Sequence, residues 1–97
     1  MMKENYSAIG IIDVSAFVNA IIVIDEVLKS SKVEIVSCEK RLGGRLVTII
    51  IVGSVSDVKS GIDVARASKK TIGENNLKLA EVISNPHSEI LKVFNLI

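Results

Sequence analysis

The sequence predicts an α/β (α+β) fold: a βαββαβ sheet with helices on one face, followed by a short C-terminal helix. Three observations predict it. Short runs rich in β-branched residues at 8–14, 33–38, 46–52 and 77–83 read as four strands. Two segments, 16–28 and 55–72, carry apolar residues suited to helices. Turn and stop residues fall between these runs: Arg41-Leu42-Gly43-Gly44-Arg45, Gly53-Ser54, Gly73 and Asn85-Pro86.

The first strand is Ala8-Ile9-Gly10-Ile11-Ile12-Asp13-Val14, and Ser15 follows as the expected N-cap. The helix over 16–28 is apolar nearly all round, with Phe17, Val18, Ile21, Ile22, Val23, Ile24, Val27 and Leu28. A surface helix shows a single apolar stripe. This one is therefore expected to pack against two things, the sheet and a neighbouring subunit, although its β-branched residues work against helix formation. Lys29, Ser30, Ser31 and Lys32 end it. The strand over 33–38 and the apolar strand over 46–52 form a hairpin across the glycine-centred turn. Ser54-Val55-Ser56-Asp57 approximates a capping box, with Asp in place of Glu or Gln. Val55, Val58, Ile62, Ala65 and Ile72 then recur at helical spacing up to Gly73, a natural stop. After the strand over 77–83, Asn85-Pro86 breaks the chain. Residues 88–96 form a short amphipathic helix with Ile90, Leu91 and Phe94 on one side. The element order is that of the ferredoxin-like split βαβ arrangement.

The 97 residues fit one domain, 1–97, with its core at about 8–94. A chain of this size buries roughly 60–65% of the surface it exposes when unfolded. Yet 48% of its residues are hydrophobic and its mean hydropathy is +0.46. The excess points to a membrane protein or to a subunit that buries a second face against its copies. A spanning helix needs about 20 consecutive apolar residues, and the longest run, 16–24, is short and contains Asn19. Asp13 interrupts the first apolar stretch, so the start Met1-Met2-Lys3-Glu4-Asn5 lacks a signal-peptide core. A cytoplasmic oligomer is expected, with no membrane partner. The net charge of +1, mixed in sign, carries no nucleic-acid footprint. Tyr6, Phe17 and Phe94 are too few aromatic residues for a base-stacking platform. The single Cys38 excludes an intrachain disulfide and a multi-cysteine zinc site within one subunit. No cofactor motif is present.

The local sequence adds a resemblance. Ala8-Ile9-Gly10-Ile11-Ile12-Asp13 resembles the opening of the bacterial microcompartment (BMC) shell domain, which typically runs Ala-hydrophobic-Gly-hydrophobic-hydrophobic-Glu. Asp25-Glu26-Val27-Leu28-Lys29-Ser30-Ser31 looks like the end of that family's first helix. Glu39-Lys40, the glycine loop, and Leu46-Val47-Thr48-Ile49-Ile50-Ile51-Val52-Gly53 look like its hairpin. Val55, Val58, Lys59 and Asp63 continue the match. Val82-Ile83-Ser84-Asn85-Pro86-His87 falls where the family usually has Val-Ile-Pro-Arg-Pro-His. The resemblance spans about residues 8–94 in one order.

The resemblance implies a structural subunit without enzymatic activity. It implies a cyclic hexamer that tiles edge to edge with other shell proteins, and small metabolites passing through a central pore. Arg41, Leu42, Gly43, Gly44 and Arg45 would form the pore loop. Lys29, Asn85, Pro86 and His87 would lie at the hexamer edge. Two departures stand out. Asn85 replaces the usual edge arginine and lacks its forked, charged donors. The loop between Lys40 and Leu46 has five residues where the family usually has four.

Each residue also has a plainer reading. Gly43 and Gly44 suit a hairpin turn on their own. Arg41 and Arg45 either collect positive charge about a pore, favouring anionic or polar metabolites, or point away and pair with Glu39. Lys29 follows Asp25 by four, a helical ion pair worth about 0.3 kcal/mol. Cys38 reads as a buried free cysteine, the alternative that the resemblance implies being a ring of cysteines near the pore that holds a metal or an iron–sulfur cluster; His87 reads as structural, since no acid or nucleophile partner is evident. Gly10 and Gly53 suit close packing or sharp turns. The rival function on this element order is a small-molecule-binding regulatory domain of ferredoxin-like fold. A small ferredoxin-like enzyme is weakest, because no acid/base constellation appears.

Overall fold

Short runs rich in β-branched residues dictate the sheet, and the computed structural model, which describes residues 6–96, has four strands. The elements are β1 (Ala8–Ser15), α1 (Phe17–Ser30), β2 (Glu34–Arg41), β3 (Leu46–Gly53), α2 (Val55–Ala67), α3 (Lys69–Ile72), β4 (Leu77–Ser84) and α4 (Ser88–Val93). The expected mixed βαββαβ order with a terminal helix is the observed one. The sheet order is β2-β3-β1-β4, and all three neighbouring pairs are antiparallel. Each βαβ unit leaves a gap that a strand of the other fills. The first five residues, where a leaderless start is expected, lie outside the described residues.

Strand alternation separates two apolar clusters. Ala8, Ile12 and Val14 of β1, with Val47, Ile49 and Ile51 of β3, lie under Val23 and Val27 of α1 and Val58, Ile62 and Ala65 of α2. The intervening residues Ile9, Ile50 and Val52 face the other way and are covered by Leu91, Phe94 and Leu96 of the C-terminal segment. Both faces are therefore buried at one end of the sheet. This explains why β1 and β3 read as nearly continuous apolar runs. A Cβ on Gly10 would come within 2.6 Å of Ile51 Cγ1 and 3.0 Å of Ile62 Cδ1, so close packing requires glycine there. At Gly53 the nearest atom would be 3.5 Å away, an ordinary contact, so no such demand exists.

The structure corrects several boundaries. Ser15 is the last residue of β1, not the N-cap. The N-cap of α1 is Ala16, at φ 72°, with no side-chain cap. Instead the Ala16 N–H donates to Arg45 O (3.0 Å) and Asn19 Nδ2 donates to Ser15 O (2.9 Å). Tertiary contact replaces the local cap. Ser54 does cap α2, accepting from the Asp57 N–H at 3.1 Å. The expected single helix to Ile72 divides at Ser68, whose Oγ lies 3.0 Å from Val64 O and 2.7 Å from Glu26 Oε1. Such back-bonding to the preceding turn bends helices. Gly73, at φ 98°, is the stop as expected. In the last helix Leu91 and Phe94 pack inward, but Ile90 remains 38% exposed. Asn95, at φ 59°, ends α4 in a Schellman turn: its N–H donates to Lys92 O and that of Leu96 to Leu91 O.

Candidate functional site: the hairpin tip and the opposite end

The β2–β3 hairpin places its tip at the Ser15 end of the sheet, since Arg41 pairs with Leu46 and Ser15 with Leu46 on the other side. Arg41 is thus the last residue of β2, and four residues, Leu42 to Arg45, connect the strands. The expected five-residue loop is one shorter because the ladder continues through Arg41. Leu42–Gly44 forms a tight left-handed turn with three consecutive positive φ values: 53° at Leu42, 68° at Gly43 and 90° at Gly44. Left-handed backbone is open to glycine without penalty, but it strains leucine. The Arg45 N–H (3.3 Å) and Nε (3.1 Å) both donate to Leu42 O, which closes the turn. Leu42 is 66% exposed at the tip.

The two arginines therefore do different work. Arg45 folds back on its own loop. Arg41 projects from the face opposite the helices, 3.8 Å from Glu39 Oε1, with more than half of its side chain exposed. That separation is too long for a tight charge-assisted hydrogen bond. On the same face Thr48 donates to Asp13 Oδ1 at 2.7 Å. A cavity of about 290 Å³ opens beside these groups, between Glu39, Arg41, Thr48 and Ile50 of the sheet and Phe94 and Asn95. On the helix face Lys40 Nζ sits 4.5 Å from the centre of the Phe17 ring. Cys38 is exposed and pairs with Ile49, whose side chain faces the helices. Among the described residues no group of three metal-ligating side chains assembles.

Next to the tip, α1 begins. Phe17, Val18 and Ile21 leave its first turns exposed, Val18 by 65%. The loop and this apolar surface are joined by the Ala16–Arg45 backbone bond.

Lys29, Asn85, Pro86 and His87 lie at the other end. There Ala8 pairs with Gly53 and Ser84, and α1, which starts at the tip, finishes. Eight-residue strands separate the two ends by roughly 25 Å. Lys29 Nζ is 2.7 Å from Asp25 Oδ2, and that hydrogen bond and charge raise its pKa. Asn85 takes a left-handed φ of 50° and donates its N–H to Ser7 O at 2.7 Å. His87 caps α4, its Nδ1 accepting from the Glu89 N–H at 3.0 Å. The sequence marks His87 as structural without a signal for its capping role. Two contacts join segments distant in sequence, Tyr6 with Glu34 and Arg66 with Ala80. No local spacing signals either.

Comparison with known proteins follows the same span. The BMC domain family model matches residues 8–86. The chain is 35% identical over 86 residues to "Bacterial microcompartment shell protein PduA" of Citrobacter freundii, covering 89% of each. It is 33% identical over 87 residues to "Bacterial microcompartment shell protein EutM" of Escherichia coli (strain K12), covering 90% of this chain and 87% of that protein. A solved microcompartment protein from Desulfitobacterium hafniense DCB shares the fold, with TM-score 0.74 and 21% identity. The match covers 90% of this chain and 46% of that one.

Proposed function

The chain belongs to the BMC domain family, and from that premise we propose that it is a structural shell subunit of a bacterial microcompartment in the cytoplasm. It assembles into cyclic hexamers that tile with other shell proteins. Small metabolites pass through a central pore ringed by Arg41, Leu42, Gly43, Gly44 and Arg45. The related PduA and EutM are named shell proteins, which accords with a non-enzymatic role.

One observation supports this arrangement above the others. The hairpin tip and the exposed apolar start of α1 form one end of the subunit, and Lys29 with Asn85, Pro86 and His87 forms the other. A ring needs its inner rim next to an apolar subunit contact and its tiling edge remote from both. Six copies turn the outward Arg41 into a ring of positive charge, tempered by Glu39, which favours anionic or polar solutes. Burial of Phe17, Val18 and Ile21 between copies accounts for the hydrophobic excess.

Light scattering after size exclusion, with negative-stain imaging of the same sample, tests the reading. Six-subunit rings with a central hole are expected. A monomer or dimer without rings overturns it.

A further inference from the structure

We propose that Arg66 closes the outer edge of β4 against strand addition, so that copies of this chain meet through side chains and not by continuing the sheet. The proposal does not depend on the number of subunits in a ring.

β4 is hydrogen-bonded only to β1, so its far side is a sheet edge. An unprotected edge offers unpaired N–H and C=O groups to any other strand. The opposite edge strand, β2, carries Glu34, Glu39, Lys40 and Arg41 within eight residues. β4, Leu77–Ser84, carries only Lys78 and Glu81 and no proline. It is the edge more in need of protection.

Arg66 supplies it. The residue lies in the last turn of α2, which packs on the helix face of the sheet. Its Nε and Nη2 donate to the same acceptor, Ala80 O, at 3.1 and 2.8 Å. Nη2 is also 3.4 Å from Glu81 Oε1. Ala80 packs under the helices, so the Glu81 side chain, one residue on, leaves from the opposite face. A guanidinium that starts on one face and reaches a carboxylate from the other rounds the strand's outer edge. Asp63, 3.9 Å from Nη1, adds only a loose charge contact from α2. The carbonyl that an incoming strand would use is thus occupied by a planar donor pair. Lys69, Lys78 and Glu74 line an open groove of about 360 Å³ along the same edge. Their charges would be desolvated by an apolar strand.

The test uses the full chain and a fluorescein-labelled synthetic peptide copying residues 77–84. Arg66→Met keeps the aliphatic stem and removes every donor. Wild-type protein is expected to give no saturable anisotropy change. Arg66→Met is expected to bind the peptide saturably, not to bind its backbone N-methylated version, and to lose its discrete oligomer to thioflavin-T-positive filaments. The proposal is overturned if Arg66→Met shows the wild-type circular dichroism spectrum yet neither binds peptide nor forms filaments. It is equally overturned if wild type and variant bind alike. Should Arg66→Met not fold, Arg66→Gln, whose shorter side chain lacks the guanidinium donor pair but keeps a polar end on α2, takes its place under the same criteria.

Discussion

At the scale of single residues, charge and packing give separable expectations. Arg41 and Glu39 are exposed and loosely paired, and such pairs contribute at most about 1 kcal/mol. Replacing Arg41 and Arg45 together with alanine should therefore cost about 1 kcal/mol, chiefly the exposed Arg45 Nε bond to Leu42 O, and lower the thermal midpoint only slightly. It should alter the flux of a charged solute through assembled shells, and unchanged flux would remove the case for a charge-selective pore. Gly10→Ala belongs to the opposite category. Its methyl group would press on Ile51 and Ile62, and overpacking of this kind costs about 1–3 kcal/mol, read as a lowered thermal midpoint. Tyr6 provides a pH signature. Its hydrogen bond to Glu34, then burial, then the Glu34 charge push the phenol up to about 12. A pKa raised on folding contributes stability that is complete below the unfolded value of about 10 and is lost as pH rises through the folded one. Because the chain has a single tyrosine, tyrosinate absorbance reports it directly. The titration should lie above that of the urea-unfolded chain, and Tyr6→Phe should flatten the alkaline loss of stability between about pH 10 and 12.

At the scale of elements, helix ends separate local from tertiary causes. Ser54 was readable as a cap because its partner lies three residues away. Ser54→Ala should cost about 1 kcal/mol, measured by denaturant unfolding. The start of α1 was not readable, because Ala16 is held by Arg45 of the hairpin and not by its own neighbours. α4 depends on His87 accepting a hydrogen bond through Nδ1. Without that acceptor α4 should lose amide-exchange protection. His87→Asn, which still offers a side-chain oxygen, should keep that protection, while His87→Ala should lack it. Equal protection in all three proteins would show that packing of Leu91, Phe94 and Leu96 alone holds the helix.

At the scale of the whole molecule, the first helix is the informative part. Its nearly uniform apolar character predicted two packing partners. The described chain supplies one: Ala20, Val23 and Val27 are buried, whereas Phe17, Val18 and Ile21 are not. Val18→Asp with Ile21→Asp should leave the circular dichroism spectrum intact, since neither side chain belongs to the buried core. The pair should reduce the mass seen by light scattering to that of a single subunit. Retention of the full oligomer would move the subunit contact elsewhere.

The element order, the hairpin, the packing of α1 on the sheet and the family were legible in the amino-acid sequence. These rest on periodicity, turn residues and short motifs, all of which act over a few residues along the chain. Three-dimensional packing was needed to set where β1 ends and α1 begins, the true length of the connecting loop, the break at Ser68, and the placement of the hairpin tip at the end of the sheet opposite Lys29 and Asn85. It also decided that Arg66 reaches across β4. Each of these depends on which strands become neighbours, and strand pairing joins segments whose distance in the chain leaves no local pattern to read.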